Sequence, residues 1–240
     1  MKRAIHWVFA LAAVAPVSAH DLVTAESVQT YLASVGELQK VIASKEPRST
    51  RARAHFDLGK LLDEIRDLLN RDLDTHGRVQ GLPSNFLMSE LKARGAELAF
   101  AAETNRFLAN VQHYREALKL DPSGPAAADA TFRLLQGYFY DSFATDPLQP
   151  ASQSQAQLGE QIRLGEDLLK KYPQHTEREE TSFILVVHYV QAARAAEREA
   201  DKLAFAHKAR AMAGEFAKTY PESLRAAALP HVLEGLPAGR

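Results

Sequence analysis

The 240-residue chain has no cysteine, which rules out disulfides, thiol catalysis and the lipid-bearing cysteine of bacterial lipoproteins. It has no apolar run of the ~20 residues that a helix needs to cross a bilayer. It has no excess of one charge either: 29 Lys and Arg stand against 30 Asp and Glu, spread evenly among one another. Nucleic-acid binding needs a clustered basic stripe to displace counterions, so that class is set aside. No segment shows sustained polar/apolar alternation, which argues against a sheet. The His-Glu-x-x-His, Gly-x-Ser-x-Gly, phosphate-loop and dinucleotide-glycine motifs are all missing.

The N-terminus has the three parts of a secretory leader: basic Lys2 and Arg3, an apolar run from Ile5 to Ala15, and small residues at Val17-Ser18-Ala19. The expected signal peptide is residues 1–19, with the mature chain, residues 20–240, beginning at His20 and working in the periplasm or outside the cell. Loss of Lys2 and Arg3 leaves 27 basic residues against 30 acidic ones, a net charge of about −3. Without disulfides, an exported chain of this kind must be held by its apolar core.

Beyond the leader, apolar residues recur with a period of 3.6 and alanine is abundant, so the expected fold class is all-α. The run Phe183 to Val190 is β-branched and aromatic. It follows Thr176-Glu177-Arg178-Glu179, a capping-box pattern, and leads into strong helix formers, which predicts a buried helix over 177–198. Three stretches share one design, an amphipathic helix closed by a proline turn: His113 to Pro122, Leu164 to Pro173 and Met212 to Pro221. A shift of 51 residues pairs Leu118 with Leu169, Pro122 with Pro173, Phe132 with Phe183, Leu134 with Leu185 and Tyr138 with Tyr189. A looser copy runs from Leu38 to Pro47, followed by Leu58-Gly59. One helical hairpin cannot bury its own apolar stripe, whereas stacked hairpins make a continuous core.

The turns Tyr220-Pro221-Glu222-Ser223 and Leu118-Lys119-Leu120-Asp121-Pro122, the pair Leu58-Gly59, and Ala117 with Pro122 resemble the tetratricopeptide family, in particular its bacterial periplasmic type. Spacings of 51 and 48 residues exceed the family's usual ~34, and Leu-Gly is missing from the later repeats. The resemblance covers residues 38–236. It implies an α-solenoid of three to four stacked antiparallel hairpins with a surface for a protein or peptide partner.

Two polar, proline-bearing stretches, Asp72 to Asn85 and Asp141 to Ser152, read as loops between helices. Asp72-Leu73-Asp74-Thr75-His76-Gly77 begins like a calcium loop, but Pro83 occupies the twelfth position, where calcium needs a glutamate. It is read as a polar turn closing a helix. The other histidines show no ligand spacing along the chain, so no metal and no cofactor is expected. Glu177, Glu179 and Glu180 fall in a first helical turn, where the macrodipole favours negative charge.

On the helix after Pro122, helical spacing leaves Asp129, Arg133, Gln136 and Tyr140 as a polar stripe carrying arginine and tyrosine, residue types enriched at binding hot spots. The 51-residue shift sets Ile184, Val187 and Gln191 beside it. Arg133, Gln136, Tyr140, Ile184, Val187 and Gln191 are thus the expected partner-binding groove, polar on one side and apolar on the other. The function expected is a non-catalytic scaffold or adaptor, with a small-molecule binder or an enzyme without familiar motifs as alternatives. If the leader is cleaved after Ala19, the intact mass of protein recovered from the periplasm matches a chain beginning at His20. Retention of Met1 would overturn the reading.

Overall fold

The computed structural model describes residues 24–76, 82–102, 104–142 and 154–237. The expected leader and its cleavage site lie outside them. Among the described residues there are nine helices and one minimal hairpin, so the chain is all-α in class. None of these helices is long and apolar enough to cross a membrane.

Helix α1 (Ala25–Ala43) starts at a capping box in which the Thr24 side chain accepts from the Ser27 amide and Ser27 answers the Thr24 backbone. Pro47 then precedes α2 (Arg48–His76), a proline just ahead of a helix whose first turn its fixed φ suits. An insertion follows, made of α3 (Leu82–Ala93) and a two-residue antiparallel pair, β1 (Phe100–Ala101) with β2 (Arg106–Phe107). The remaining helices are α4 (Gln112–Leu120), α5 (Ala127–Ser142), α6 (Gln155–Lys171), α7 (Arg178–Ala195), α8 (Glu199–Thr219) and α9 (Leu224–Val232).

Two expected loops are corrected. Asp72 to His76 is the last turn of α2 and α3 resumes at Leu82, leaving 77–81 outside the described residues. The acidic residues there sit on a helix, and Asp74 takes two hydrogen bonds from Arg106, at 3.0 and 2.5 Å. Asp141 and Ser142 extend α5, and residues 143–153 lie outside the described set. The run Phe183 to Val190 is helical as expected, but Glu177 at its N-cap makes no side-chain cap hydrogen bond.

The apolar core is a series of clusters, each sharing a helix with the next. Val28, Leu32, Leu62, Leu69, Leu87 and Phe107 join α1, α2, α3 and the hairpin. Phe56, Tyr114, Leu134 and Leu164 join α2, α4, α5 and α6. Leu158, Leu185, Tyr189 and Ala209 join α6, α7 and α8, and Val186, Phe216 and Leu229 close α7, α8 and α9. Helix α7 is apolar on nearly every side, and it packs on α5, α6, α8 and α9. The C-terminal segment folds back, with Arg210 donating to the carbonyls of Leu236 and Pro237.

Two tyrosines tie neighbouring helices at equal offsets along the chain. Tyr138 on α5 is hydrogen-bonded by Arg115 on α4, and Tyr189 on α7 donates to Glu166 on α6 at 2.5 Å. Both partners stand 23 residues before the tyrosine. Close approach is set by glycine where α2 crosses α4 and where α6 crosses α7. A Cβ on Gly59 would lie 2.7 Å from the Tyr114 ring, and one on Gly165 would lie 2.7 Å from Leu185. Tyr114 cannot step aside, because it is fully buried and its hydroxyl donates to Asp63 at 2.6 Å.

Gly59→Ala is therefore expected to destabilise by about 1–3 kcal/mol through overpacking. Gly214→Ala in α8, where an added Cβ meets nothing within 4 Å, should stabilise by up to about 1 kcal/mol through helix propensity. Urea unfolding of the two variants checks this, and equal shifts would overturn the glycine reading.

Candidate functional site

Within the polar stripe expected on α5, Asp129, Arg133 and Gln136 are engaged, two of them with neighbouring elements. Arg133 and Gln136 are one turn apart on α5, and the Arg133 guanidinium donates to the Gln136 carbonyl oxygen at 3.1 Å. The Gln136 amide nitrogen donates across to Glu180 Oε1 on α7 at 2.9 Å. Glu180 Oε2 accepts from Arg225 on α9 at 3.0 Å. Arg225 also stands 3.6 Å from Glu179, which accepts from the Ser223 hydroxyl at 2.6 Å. A continuous polar seam thus links α5, α7 and α9, and α7 packs directly on each of the other two.

Ser223 does two things in this seam. Its hydroxyl accepts the Arg225 amide as the N-cap of α9 and donates to Glu179. The fourth member of the stripe at the other end, Asp129, meets His175 Nε2 in the turn before α7 at 3.0 Å. The Arg133 charge also acts on the Asp63–Tyr114 pair between α2 and α4. Burial raises the Asp63 carboxyl above its usual range, against the opposing pull of Arg66 and of the Tyr114 hydrogen bond. Burial, the Asp63 charge and the hydrogen bond together push the Tyr114 phenol up.

The apolar floor of the expected groove is corrected. Ile184 is 0% exposed and Val187 7% exposed, so neither is a surface for a partner. Helical spacing puts them beside Phe183 and His188 on α7, against which Phe139 of α5 stacks edge-on. Gln191 is half-buried and occupied, its Oε1 lying 3.1 Å from His188 Nδ1. Tyr140 belongs to α5, with its side chain outside the described residues. Of the six expected residues, Arg133 and Gln136 come together with partners that sequence reasoning did not single out, namely Glu179, Glu180, Ser223 and Arg225. Glu179 and Glu180 were visible only as first-turn acids.

His188 is fully buried and its Nε2 has no partner. With Nδ1–H donating to Gln191, Nε2 holds the buried lone pair, and protonation would place a charge there. Burial accordingly pushes its pKa from 6.5 down to about 4, opposed by the Gln191 hydrogen bond. Among the described residues no group of three His, Cys, Asp or Glu is arranged to hold a metal ion. No protein-family model, curated protein or solved structure matches the chain.

Because the folded His188 refuses a proton that the unfolded chain accepts, stability is full above the unfolded pKa and falls as the pH drops from 6.5 towards 4. At pH 5 the linkage from this one ring is about 2 kcal/mol. Urea unfolding at pH 7 and pH 5 should show a smaller loss in His188→Leu than in the wild type by roughly that amount. Identical losses would mean that His188 is already protonated, or solvated, in the folded protein.

Proposed function

We propose that this protein is a non-catalytic scaffold or adaptor of the cell envelope, a tetratricopeptide-like array that binds a protein or peptide partner. The observation that carries the reading is the partly buried seam Arg133–Gln136–Glu180–Arg225, laid across three helices that alternate with α6 and α8 along the chain. Repeat arrays use the face formed by alternate helices because it is continuous from repeat to repeat. The tyrosine ties at equal sequence offsets and the glycine crossings support an array built of repeats. The leader supports export, and the polar seam supports protein contacts in which arginine anchors.

Since Ile184 and Val187 are covered, the proposed contact surface is polar at its centre and is not an apolar trough. Arg133 and Arg225 are its cationic groups, each with part of its side chain in solvent. The experiment places a photo-crosslinking residue at 133 and, as a control, at Leu203 on the outer side of α8, which is exposed, in cells that make the full-length protein. The crosslinked partner is then captured with Arg133→Ala plus Arg225→Ala, after thermal unfolding has been compared with the wild type. Loss of a hot-spot pair should weaken capture at least about tenfold, equivalent to ~1.4 kcal/mol. Crosslinks that form equally at 133 and 203, or capture undiminished in the double variant, would remove this face from the proposal.

A further inference from the structure

The interface of α2 with α4 brings together two histidines that stand 58 residues apart in the chain. His55 Nδ1 on α2 and His113 Nδ1 on α4 are 3.1 Å apart, with ring centroids at 5.4 Å and planes inclined by 34°. Two neutral rings can share one hydrogen bond in this arrangement if they adopt opposite tautomers. The same spacing is what one metal ion imposes. Metal–nitrogen bonds of about 2.0–2.1 Å place two nitrogens about 2.9–3.4 Å apart in cis-octahedral or tetrahedral geometry.

We propose that His55 Nδ1 and His113 Nδ1 chelate a divalent cation of the imidazole-preferring class, with Zn2+ as its representative. The ring that donates the shared hydrogen bond moves its proton from Nδ1 to Nε2, so both Nδ1 lone pairs become ligands with no net proton release at neutral pH. Both rings are only partly buried, which leaves room for water in the remaining positions. Burial holds both in the neutral, ligating form, and the neighbouring ring adds to this at His113, whose pKa falls to about 4. The charged groups facing them are Arg51 on α2, which opposes a cation, and Glu116 on α4, which favours one at both rings. Glu116 lies one turn beyond His113 and now holds Gln112 and Lys119. It supplies compensating charge, and it is not counted as a ligand. A cation here fastens α2 to α4 beside the Gly59–Tyr114 crossing. The site is built on α2 and α4, outside the helices of the proposed partner-binding face, and does not depend on it.

The test uses untagged full-length protein after export and Zn2+ itself. Calorimetric titration should show one equivalent bound, and a binding constant reduced at least tenfold in His55→Gln and in His113→Gln. Zn2+ should also raise the melting temperature of the wild type and not of either variant, because only the bridged fold gains from binding. If the variants fold poorly, the wild-type imidazole nitrogen spectrum decides. The His55 and His113 Nδ1 resonances move on adding Zn2+, while those of His175, His188, His207 and His231 stay. No binding, undiminished binding in His55→Gln and His113→Gln, or shifts confined to other histidines, including the expected N-terminal His20, would each overturn the site.

Discussion

The need to cover α7 on all sides organises the C-terminal half of the molecule. A helix with one apolar stripe is satisfied by a single neighbour, but α7 carries buried side chains continuously from Ile184 to Val190. Leaving any face open would return several fully buried aliphatic side chains to water, at ~1.5–3 kcal/mol each. Coverage takes four helices, α5, α6, α8 and α9, with the C-terminal residues folded back through Leu236. That demand draws the helices into one array, and it is why the α5 side of α7 is a contact and not an open groove.

Much of the helical pattern was legible because its physics is local. Prolines 47, 122, 173 and 221 mark the helix entries, and the pairing of Leu134 with Leu185 and Tyr138 with Tyr189 marks equivalent core positions. Leu134, Leu185 and Tyr189 are indeed buried, with Tyr138 half-covered. What failed was the assignment of neighbours. Ile184 and Val187 looked like a groove floor because a helix that is apolar all round carries no sign of which face stays open. The polar residues of Asp72 to His76 looked like a loop because the last turn of a helix and a loop share the same composition. The strands escaped notice because two residues cannot establish an alternation.

The seam and the histidine pair were illegible for a different reason. Gln136 meets Glu180 across 44 residues, Glu180 meets Arg225 across 45, and His55 meets His113 across 58. None of these intervals equals the 51-residue register, so self-alignment could not have proposed them. Glu180 also satisfies a local rule, since acids are favoured in a first helical turn. A residue that is already explained locally hides its long-range partner.

The helices are held by two kinds of fastening that differ in depth, and the difference sets which coordinate is soft. Between α2 and α4, and between α6 and α7, the joints are buried: the Tyr114 ring seats on Gly59, its hydroxyl ties Asp63, and Gly165 admits Leu185. Such contacts resist displacement because dense interiors lose dispersion energy on any separation. Across alternate helices, the polar link from α7 to α9 rests on Glu180 and Arg225, whose side chains are 14% and 39% exposed. An ion pair of this exposure contributes about 0–1 kcal/mol and is screened by salt. The setting of α9 against α7 is therefore held more weakly by charge than those joints are held by packing. A change in ionic strength acts first on the seam and leaves the buried joints unchanged.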